Sequence, residues 1–486
     1  MMHPRIVIAA LRGGSGKTIL SLGLISAWRE KGLSVGPFKK GPDFIDAGWL
    51  AFAAGRPCYN LDPFLMNAEQ IRQSFMTHSN GMDLSVIEGN RGLYDGLDLD
   101  GSSSTAELAK GLNAPVLMIL DVSMTTRTLA AVVKGCQVFD PDLNISGIIL
   151  NRVAGRRQEN LIRDAIGRYC QIPVVGSVPK LKARFFPERH MGLVPHQERE
   201  QANSAIVYAR EMVEAYLNLD DIWRIAEEAP DLGSHPHQPV QAISDAFSEA
   251  KKQLRPRIGF IEDRSFWFYY PENLEQLVRL GAELVQIDAM AFPRLPDLDA
   301  LYIGGGFPET QAQALADNKT FRADLKDAIE NGLPVYAECG GFMYLGERLV
   351  VGERSYPMVG ALPLEFVLQK RPQGHGYTVL EVARENSFYP VGKTLRGHEF
   401  HYSRAVPTSD EPLEFVFRVA RGRGINGTQD GISKKNLLAS YTHVHAAGEG
   451  SWAKGLFRAA TRQKKTHVSS KNRKRIFDNR KNSIYS

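Results

Sequence analysis

The 486-residue sequence predicts an α/β protein built from two doubly wound domains. Three stretches carry that expectation. Residues 5–28 read as strand, glycine-rich loop and helix. Apolar strand-like segments then alternate with helical ones as far as about residue 220, the pattern of a parallel sheet covered on both faces. Around residues 333–342, a second apolar strand runs into a cysteine that is followed by two glycines and opens a helix.

The first element is the apolar strand Arg5–Leu11. It leads through Arg12-Gly13-Gly14-Ser15-Gly16-Lys17-Thr18 into a helix-compatible run ending near Trp28. This is a phosphate-binding loop. Backbone N–H groups from Gly13, Gly14, Ser15 and Gly16 form an anion nest, and the helix dipole adds to it. Lys17 reaches β- and γ-phosphates, and Thr18 can ligate Mg²⁺. Leu11 stands where the usual first glycine would be, so the loop is a variant form.

Three further strands follow at Leu84–Glu88, Ala114–Asp121 and Ile145–Asn151. Glu88, Asp121 and Asn151 fall at their C-terminal ends, where open α/β sheets bind ligands. Lys39-Lys40-Gly41-Pro42-Asp43-Phe44-Ile45-Asp46 sets two lysines and two carboxylates in one turn. Glu88 to Gly96 sets two more carboxylates, Glu88 and Asp95, in a glycine-rich loop. Nucleotide-bound Mg²⁺ needs only one or two protein carboxylates, and Asp43 and Glu88 suit that task beside Thr18. Asp46 and Asp95 are placed to help or to meet a substrate.

Residues 223–255 turn polar, with Glu227-Glu228-Ala229-Pro230-Asp231 followed by Ser234-His235-Pro236-His237, and read as an interdomain linker. The second domain opens at the strand Arg257–Ile261. In Leu333–Phe342 a short apolar strand meets Cys339, where Gly340 and Gly341 let the backbone bend sharply. A thiol on such an elbow projects outward, and the following amides can hold an oxyanion. A helix N-terminus is expected to lower its pKa. About a hundred residues later, the segment Leu438–His445, with His443 and His445, can supply the base of a nucleophile–base pair. Gly304-Gly305-Gly306 follows the strand Ala300–Ile303.

Hydrophobic content of 43% and charged content of 23% are ordinary for globular domains. No apolar run reaches the ~18 residues of a membrane span, and the opening strand leaves no room for a signal peptide. The four cysteines lack the CxxC spacing of a zinc site, which fits a reducing cytoplasm. The net charge of +5 comes from the end of the chain: nine Lys and Arg from Arg462 onward face only Asp478, a local +8 that leaves −3 for the rest. That segment, 461–486, lacks apolar periodicity and is read as disordered.

In order, the loop Arg-Gly-Gly-Ser-Gly-Lys-Thr, Lys-Lys-Gly-Pro-Asp-Phe-Ile-Asp, Gly-Leu-Tyr-Asp-Gly, Gly-Gly-Gly-Phe-Pro-Glu, Ala-Glu-Cys-Gly-Gly, Gly-His-Glu-Phe-His-Tyr-Ser and Ser-Tyr-Thr-His-Val-His form one set. The set resembles the cobyrinic acid a,c-diamide synthase family over residues 4–460. The resemblance implies a P-loop, dethiobiotin-synthetase-like amidoligase domain at 1–222. It also implies a class I glutamine amidotransferase domain of the cobyric-acid-synthase type at 256–460. ATP and Mg²⁺ are the implied cofactors, with glutamine and a corrinoid or related tetrapyrrole carboxylate as the substrates.

By that resemblance Cys339 attacks the glutamine amide with His443 as its base, while Gly305, Gly306 and Gly340 supply the oxyanion hole. Asp43, Phe44 and Ile45 face the macrocycle, and Asn151 meets the adenine. Ordinary class I amidotransferases carry Glu two positions after the histidine, where this chain has His445. The motif from Gly397 to Ser403 lies either at an ammonia path or domain interface, or serves hydrogen bonding alone. The family suggests a homodimer. Nickel sirohydrochlorin, hydrogenobyrinic acid and cobyric acid chemistry are neighbouring alternatives. A partition-type ATPase binding nucleic acid through the basic segment is a rival of another class, disfavoured by the Cys339–His443 machinery. Nucleic acid and membrane are therefore not expected partners.

Overall fold

The computed structural model describes residues 3–181, 188–189, 192–193, 202–232 and 255–482, with side chains described as far as 466. The chain divides into two compact units, Met1–His237 and Gln238–Ser486.

In the N-terminal unit the described residues form a seven-stranded sheet. Its strands are β1 (Arg5–Ala10), β2 (Val35–Lys40), β3 (Tyr59–Leu61), β4 (Leu84–Glu88), β5 (Val116–Asp121), β6 (Ile145–Val153) and β7 (Val174–Pro179). Their order is β3-β2-β4-β1-β5-β6-β7, and every pairing is parallel. The order reverses on either side of β1, which sets the loop after β1 at the switch point where open α/β sheets bind ligands. Ile6, Val7 and Ile8 of β1 are wholly buried, as expected of a strand covered on both faces.

Helix α1 (Lys17–Glu30) follows the loop, and α2 (Phe44–Ala54) follows the turn after β2. Residues Leu219–Glu227 form a further helix whose Ile222, Ile225 and Ala226 are buried, and Arg5 donates to the Pro230 carbonyl at 2.6 Å. The N-terminal unit thus runs past the expected boundary at residue 222, because this short amphipathic helix buries its apolar face rather than leaving it in a linker. The rest of the expected linker, 233–254, lies outside the described residues.

The C-terminal unit holds a ten-stranded mixed sheet among its described residues. Glu283–Ile287, Arg257–Ile261, Ala300–Ile303, Val335–Glu338 and Leu437–Ser440 pair in parallel in that order. Successive residues feed opposite cores: Leu301, Ile303, Val335 and Ala337 pack on one face, and Ala300, Tyr302, Tyr336 and Leu438 on the other. Beyond Leu437–Ser440 the sheet continues antiparallel through Gln429–Lys434, Glu414–Arg421, Gly374–Val382 and Thr394–His401, ending at His443–Val444. Only Tyr441 and Thr442 separate that last strand from Leu437–Ser440. The antiparallel arm must therefore curl back on itself, and in doing so it pairs His398 with His443.

The final helix runs Gly450–Asn482. Trp452, Ala453, Leu456 and Ala460 are fully buried and anchor its first turns. The segment expected to be disordered continues this helix: after Gly455 no Gly or Pro interrupts it, and Arg, Lys and Gln are good helix formers. No helix among the described residues is long and apolar enough to cross a membrane.

Candidate functional sites

The N-terminal site grows from the turn between β1 and α1. Gly16 precedes α1 at φ 96°, and a Cβ there would lie 2.6 Å from Asn151 Nδ2, so the tight turn requires glycine. Asn151, at the end of β6, donates to the Ser15 carbonyl at 2.9 Å and braces the loop. Arg152 donates to the Gly14 carbonyl at 3.1 Å and pairs with Asp121 at 2.7 Å, while Arg12 meets the same carboxylate at 3.0 Å. Lys17 Nζ donates to the carbonyls of Arg91 at 2.8 Å and Arg12 at 3.2 Å, and burial and nearby Lys39 lower its pKa.

Under the loop lies a buried charge cluster. Thr18 Oγ1 donates to Glu88 Oε1 at 2.8 Å, and Lys39 Nζ meets the same oxygen at 2.7 Å. Lys39 also binds Asp46 Oδ2 at 2.8 Å. The register of β2 against β4 sets Lys39 directly opposite Glu88, so the pair is a product of the sheet. Burial would drive the proton off Lys39, but Asp46 and Glu88 outweigh it and raise its pKa. Glu88 is shifted upward, by burial first, with Lys39 opposing.

Asp43 caps α2, its Oδ1 accepting the N–H groups of Ile45 at 2.7 Å and Asp46 at 3.1 Å. Burial and the neighbouring Asp46 push its carboxyl up to about 7. Phe44 and Ile45, at the start of α2, are 8% and 6% exposed, so little of either side chain reaches solvent. Asp95 turns back on its own loop and accepts the Gly92 N–H at 2.9 Å. Among the sequence-predicted residues, Thr18 and Glu88 are therefore in direct contact, and Lys39 ties them to Asp46.

Mg²⁺ can be tested against this cluster. Glu88 Oε2 is buried without a hydrogen-bond partner, while Oε1 carries Thr18 and Lys39. An orphaned carboxylate oxygen beside a phosphate loop is costly unless a cation or donor satisfies it. The donor set of one carboxylate and one hydroxyl fits nucleotide-bound Mg²⁺.

The C-terminal site is centred on Cys339. It follows the strand Val335–Glu338 and precedes the helix Gly340–Leu345, with φ 46° and ψ −101°. Such a conformation is strained for a residue with a Cβ and is kept only where the surroundings impose it. Here the Cys339 N–H bonds to the Ser440 carbonyl at 2.8 Å, and the Gly341 N–H to the Gly304 carbonyl at 3.1 Å. The thiol is 3% exposed and lies 3.8 Å from the Phe400 carbonyl. Contrary to the lowered pKa expected at a helix start, the thiol is shifted upward. Burial is the main cause, followed by the charge of Glu309, while the Gly340 N–H opposes them. A six-residue helix offers too small a dipole to reverse this. A thiol shifted in this way would need a base before it could act as a nucleophile.

Gly305 and Gly306 pair with Phe268 and Phe266. A Cβ on Gly340 would lie 2.9 Å from the Gly306 nitrogen, and one on Gly305 would lie 2.3 Å from His443 Cε1. Gly340, next to Cys339 in the chain, thus approaches Gly306, and Gly305 approaches His443.

Two partners of His443 were not anticipated from the sequence. His398 stacks on it, centroids 4.9 Å apart at 22°, and Glu338 Oε2 lies 3.2 Å from His443 Nδ1. Of the Gly397–Ser403 motif, Glu399 accepts the Gly424 N–H at 2.9 Å and also that of Arg423, fastening the curled arm beside the cysteine.

Comparison with known families matches two regions of the chain. Residues 6–194 match the CobQ/CobB/MinD/ParA nucleotide binding domain, and residues 257–450 the CobB/CobQ-like glutamine amidotransferase domain. A cobyrinate a,c-diamide synthase of Magnetococcus marinus is 42% identical over 455 residues, covering 94% of this chain and 97% of that one. A cobyrinate a,c-diamide synthase of Archaeoglobus fulgidus is 41% identical, covering 95% of this chain and 98% of that one. The chain belongs to the cobyrinate a,c-diamide synthase family of glutamine-hydrolysing ligases.

Proposed function

We propose that this protein amidates the a and c acetate carboxylates of cobyrinic acid in cobalamin biosynthesis, using ATP and glutamine. The observation that carries the reading is the near-complete coverage by relatives named for that reaction, spanning both the nucleotide and the amidotransferase units.

A carboxylate is a poor acyl donor because oxide leaves badly at neutral pH. Phosphorylation by ATP gives an acyl phosphate, from which ammonia displaces phosphate to leave an amide. In this reading the loop amides of residues 13–16 cradle the phosphates, Lys17 follows the transferring group, and Asn151 contacts the adenine. Thr18 and Glu88, with Asp43 nearby, would hold Mg²⁺, which spreads the charge on the phosphates. Lys39 bonds to both Glu88 and Asp46 and offsets their charge. Asp46 and Asp95 meet the corrinoid, with Phe44 and Ile45 at its edge.

In the amidotransferase unit Cys339 attacks the glutamine amide as His443 takes its proton. The resulting oxyanion is met by the amides of Gly305, Gly306 and Gly340. The imidazolium then protonates the departing ammonia, and water frees glutamate from the thioester. Mass spectrometry of cobyrinic acid and nickel sirohydrochlorin, each incubated with the protein, ATP, Mg²⁺ and glutamine, tests the assignment. Successive exchanges of hydroxyl for amino on cobyrinic acid are expected. Reaction of nickel sirohydrochlorin alone would overturn the choice of macrocycle.

A further inference from the structure

We propose that Glu338, the residue immediately before the nucleophile, is the carboxylate that orients His443 and balances its charge. The inference rests on the amidotransferase reading above and deepens it. It concerns a position other than the one two residues after the histidine, where His445 stands.

Three donors converge on Glu338, which is 1% exposed. Oε2 receives His443 Nδ1 at 3.2 Å and the Tyr302 hydroxyl at 3.1 Å, and Oε1 receives the Val444 N–H at 3.2 Å. The direction of the Tyr302 bond is fixed from behind. Asn273 Nδ2 donates to the Tyr302 oxygen at 3.3 Å, and Asn273 Oδ1 is taken by the Ala446 N–H at 2.7 Å. The phenol therefore spends its own hydrogen on Glu338. Burial and the charge of Glu338 keep Tyr302 protonated, holding its pKa well above the usual value. A carboxylate can accept at both oxygens in this way.

That acceptor sets the imidazole tautomer. With Nδ1–H pointing at Glu338, the Nε2 lone pair is left to receive the Cys339 proton. The ring is also held in place. His398 stacks on one face, and burial and the adjoining His443 keep His398 neutral by lowering its pKa well below the ordinary value. Gly305 leaves no room for a side chain at the Cε1 edge, where a Cβ would lie 2.3 Å away. When Sγ attacks the glutamine carboxamide, the thiol proton passes to Nε2. The imidazolium returns it to the departing ammonia, and Glu338 stays anionic throughout. No further reactant is needed.

His445 does not serve as this partner. Its Nε2 lies 3.6 Å from Glu272 Oε2, its Nδ1 accepts the Ala447 N–H at 3.2 Å, and its ring packs on Tyr270 at 4.4 Å. The sheet explains how the carboxylate can instead come from the nucleophile's own strand. Val335–Glu338 runs parallel to Leu437–Ser440 with Glu338 opposite Ser440, so His443 arrives just past the end of that pairing.

The test uses the full-length protein as Glu338→Gln and Glu338→Asp variants. In the Gln variant one oxygen becomes a donor facing either Val444 N–H or His443 Nδ1. Glutaminase kcat should fall by about 10²–10⁴-fold with little change in KM, as when a triad carboxylate is made an amide. The Asp variant keeps the charge one methylene short and should fall between the two. The pH at which iodoacetamide captures Cys339 should rise by roughly one unit or more in the Gln variant, because the imidazolium that pairs with the thiolate loses its counter-charge, a loss that outweighs the relief of the lesser direct repulsion of Glu338 on the thiolate. Ammonium-driven amidation should persist in both variants. Glutaminase within a few-fold of wild type in the Gln variant, or an unchanged alkylation profile, would overturn the proposal. So would equal loss of the ammonium-driven reaction in both variants, which would mark Glu338 as a support of the fold. The alkylation readout needs no macrocycle, so it still decides the role of Glu338 if cobyrinic acid proves not to be the substrate.

Discussion

Lys39 Nζ and Glu88 Oε1 lie 2.7 Å apart, and both side chains are almost wholly buried. The pair joins the second and fourth strands beneath the phosphate loop and holds the carboxylate that also accepts from Thr18. Removing one partner of a buried pair leaves an uncompensated charge, at a cost of about 3–5 kcal/mol. Lys39→Met should therefore lower the unfolding free energy by about that much in urea titrations near neutral pH. The double variant Lys39→Met, Glu88→Gln should recover part of the loss, since it removes both charges. Equal stability of Lys39→Met and wild type would contradict this picture.

Asp43 gives a pH signature. Its folded-state pKa, pushed up to about 7 from the ordinary 3.8, means that the folded protein keeps a proton the unfolded chain has released. Stability must then fall as pH rises between those values, because the native state binds more protons. Asp43→Asn keeps the helix-capping oxygen but cannot ionise. Relative to that variant, wild type should lose stability from pH 4 to 7 and run parallel to it above. Parallel curves throughout would show that Asp43 is ionised in the folded protein across the range.

Cys339→Ala should reduce glutamine-dependent amidation by on the order of 10³-fold or more, while ammonium salts still support the reaction. Loss of both activities would mean that the elbow is needed for more than the thiol.

Gly305→Ala tests the packing around the base. The new Cβ would sit 2.3 Å from His443 Cε1, so the ring must move. A displacement of about 1 Å costs on the order of 10²-fold in rate. Glutaminase kcat should drop accordingly, with ATP binding by the other unit unaffected. Wild-type glutaminase in this variant would place the working base elsewhere.

Local chemistry made much of this legible from sequence. The expected strand Arg5–Leu11 and the helix to Trp28 are found as Arg5–Ala10 and Lys17–Glu30, because strand, glycine turn and helix are each encoded by neighbouring residues. The Cys339 elbow was visible for the same reason. What sequence could not supply was register. Lys39 and Glu88 are 49 positions apart and meet only because β2 and β4 align them. Glu338 and His443 are 105 apart and meet through a parallel pairing that ends at Ser440. The thiol's upward shift was hidden too, since burial and surrounding carboxylates belong to the folded unit.

The most direct test of the account follows the glutamine nitrogen. The protein is incubated with cobyrinic acid, ATP, Mg²⁺ and glutamine labelled with ¹⁵N at the side-chain amide, and the product is analysed by mass spectrometry. The account predicts a diamide carrying two ¹⁵N atoms, formed only when ATP is present. Glutamine hydrolysed to glutamate with no ¹⁵N in the macrocycle would contradict it.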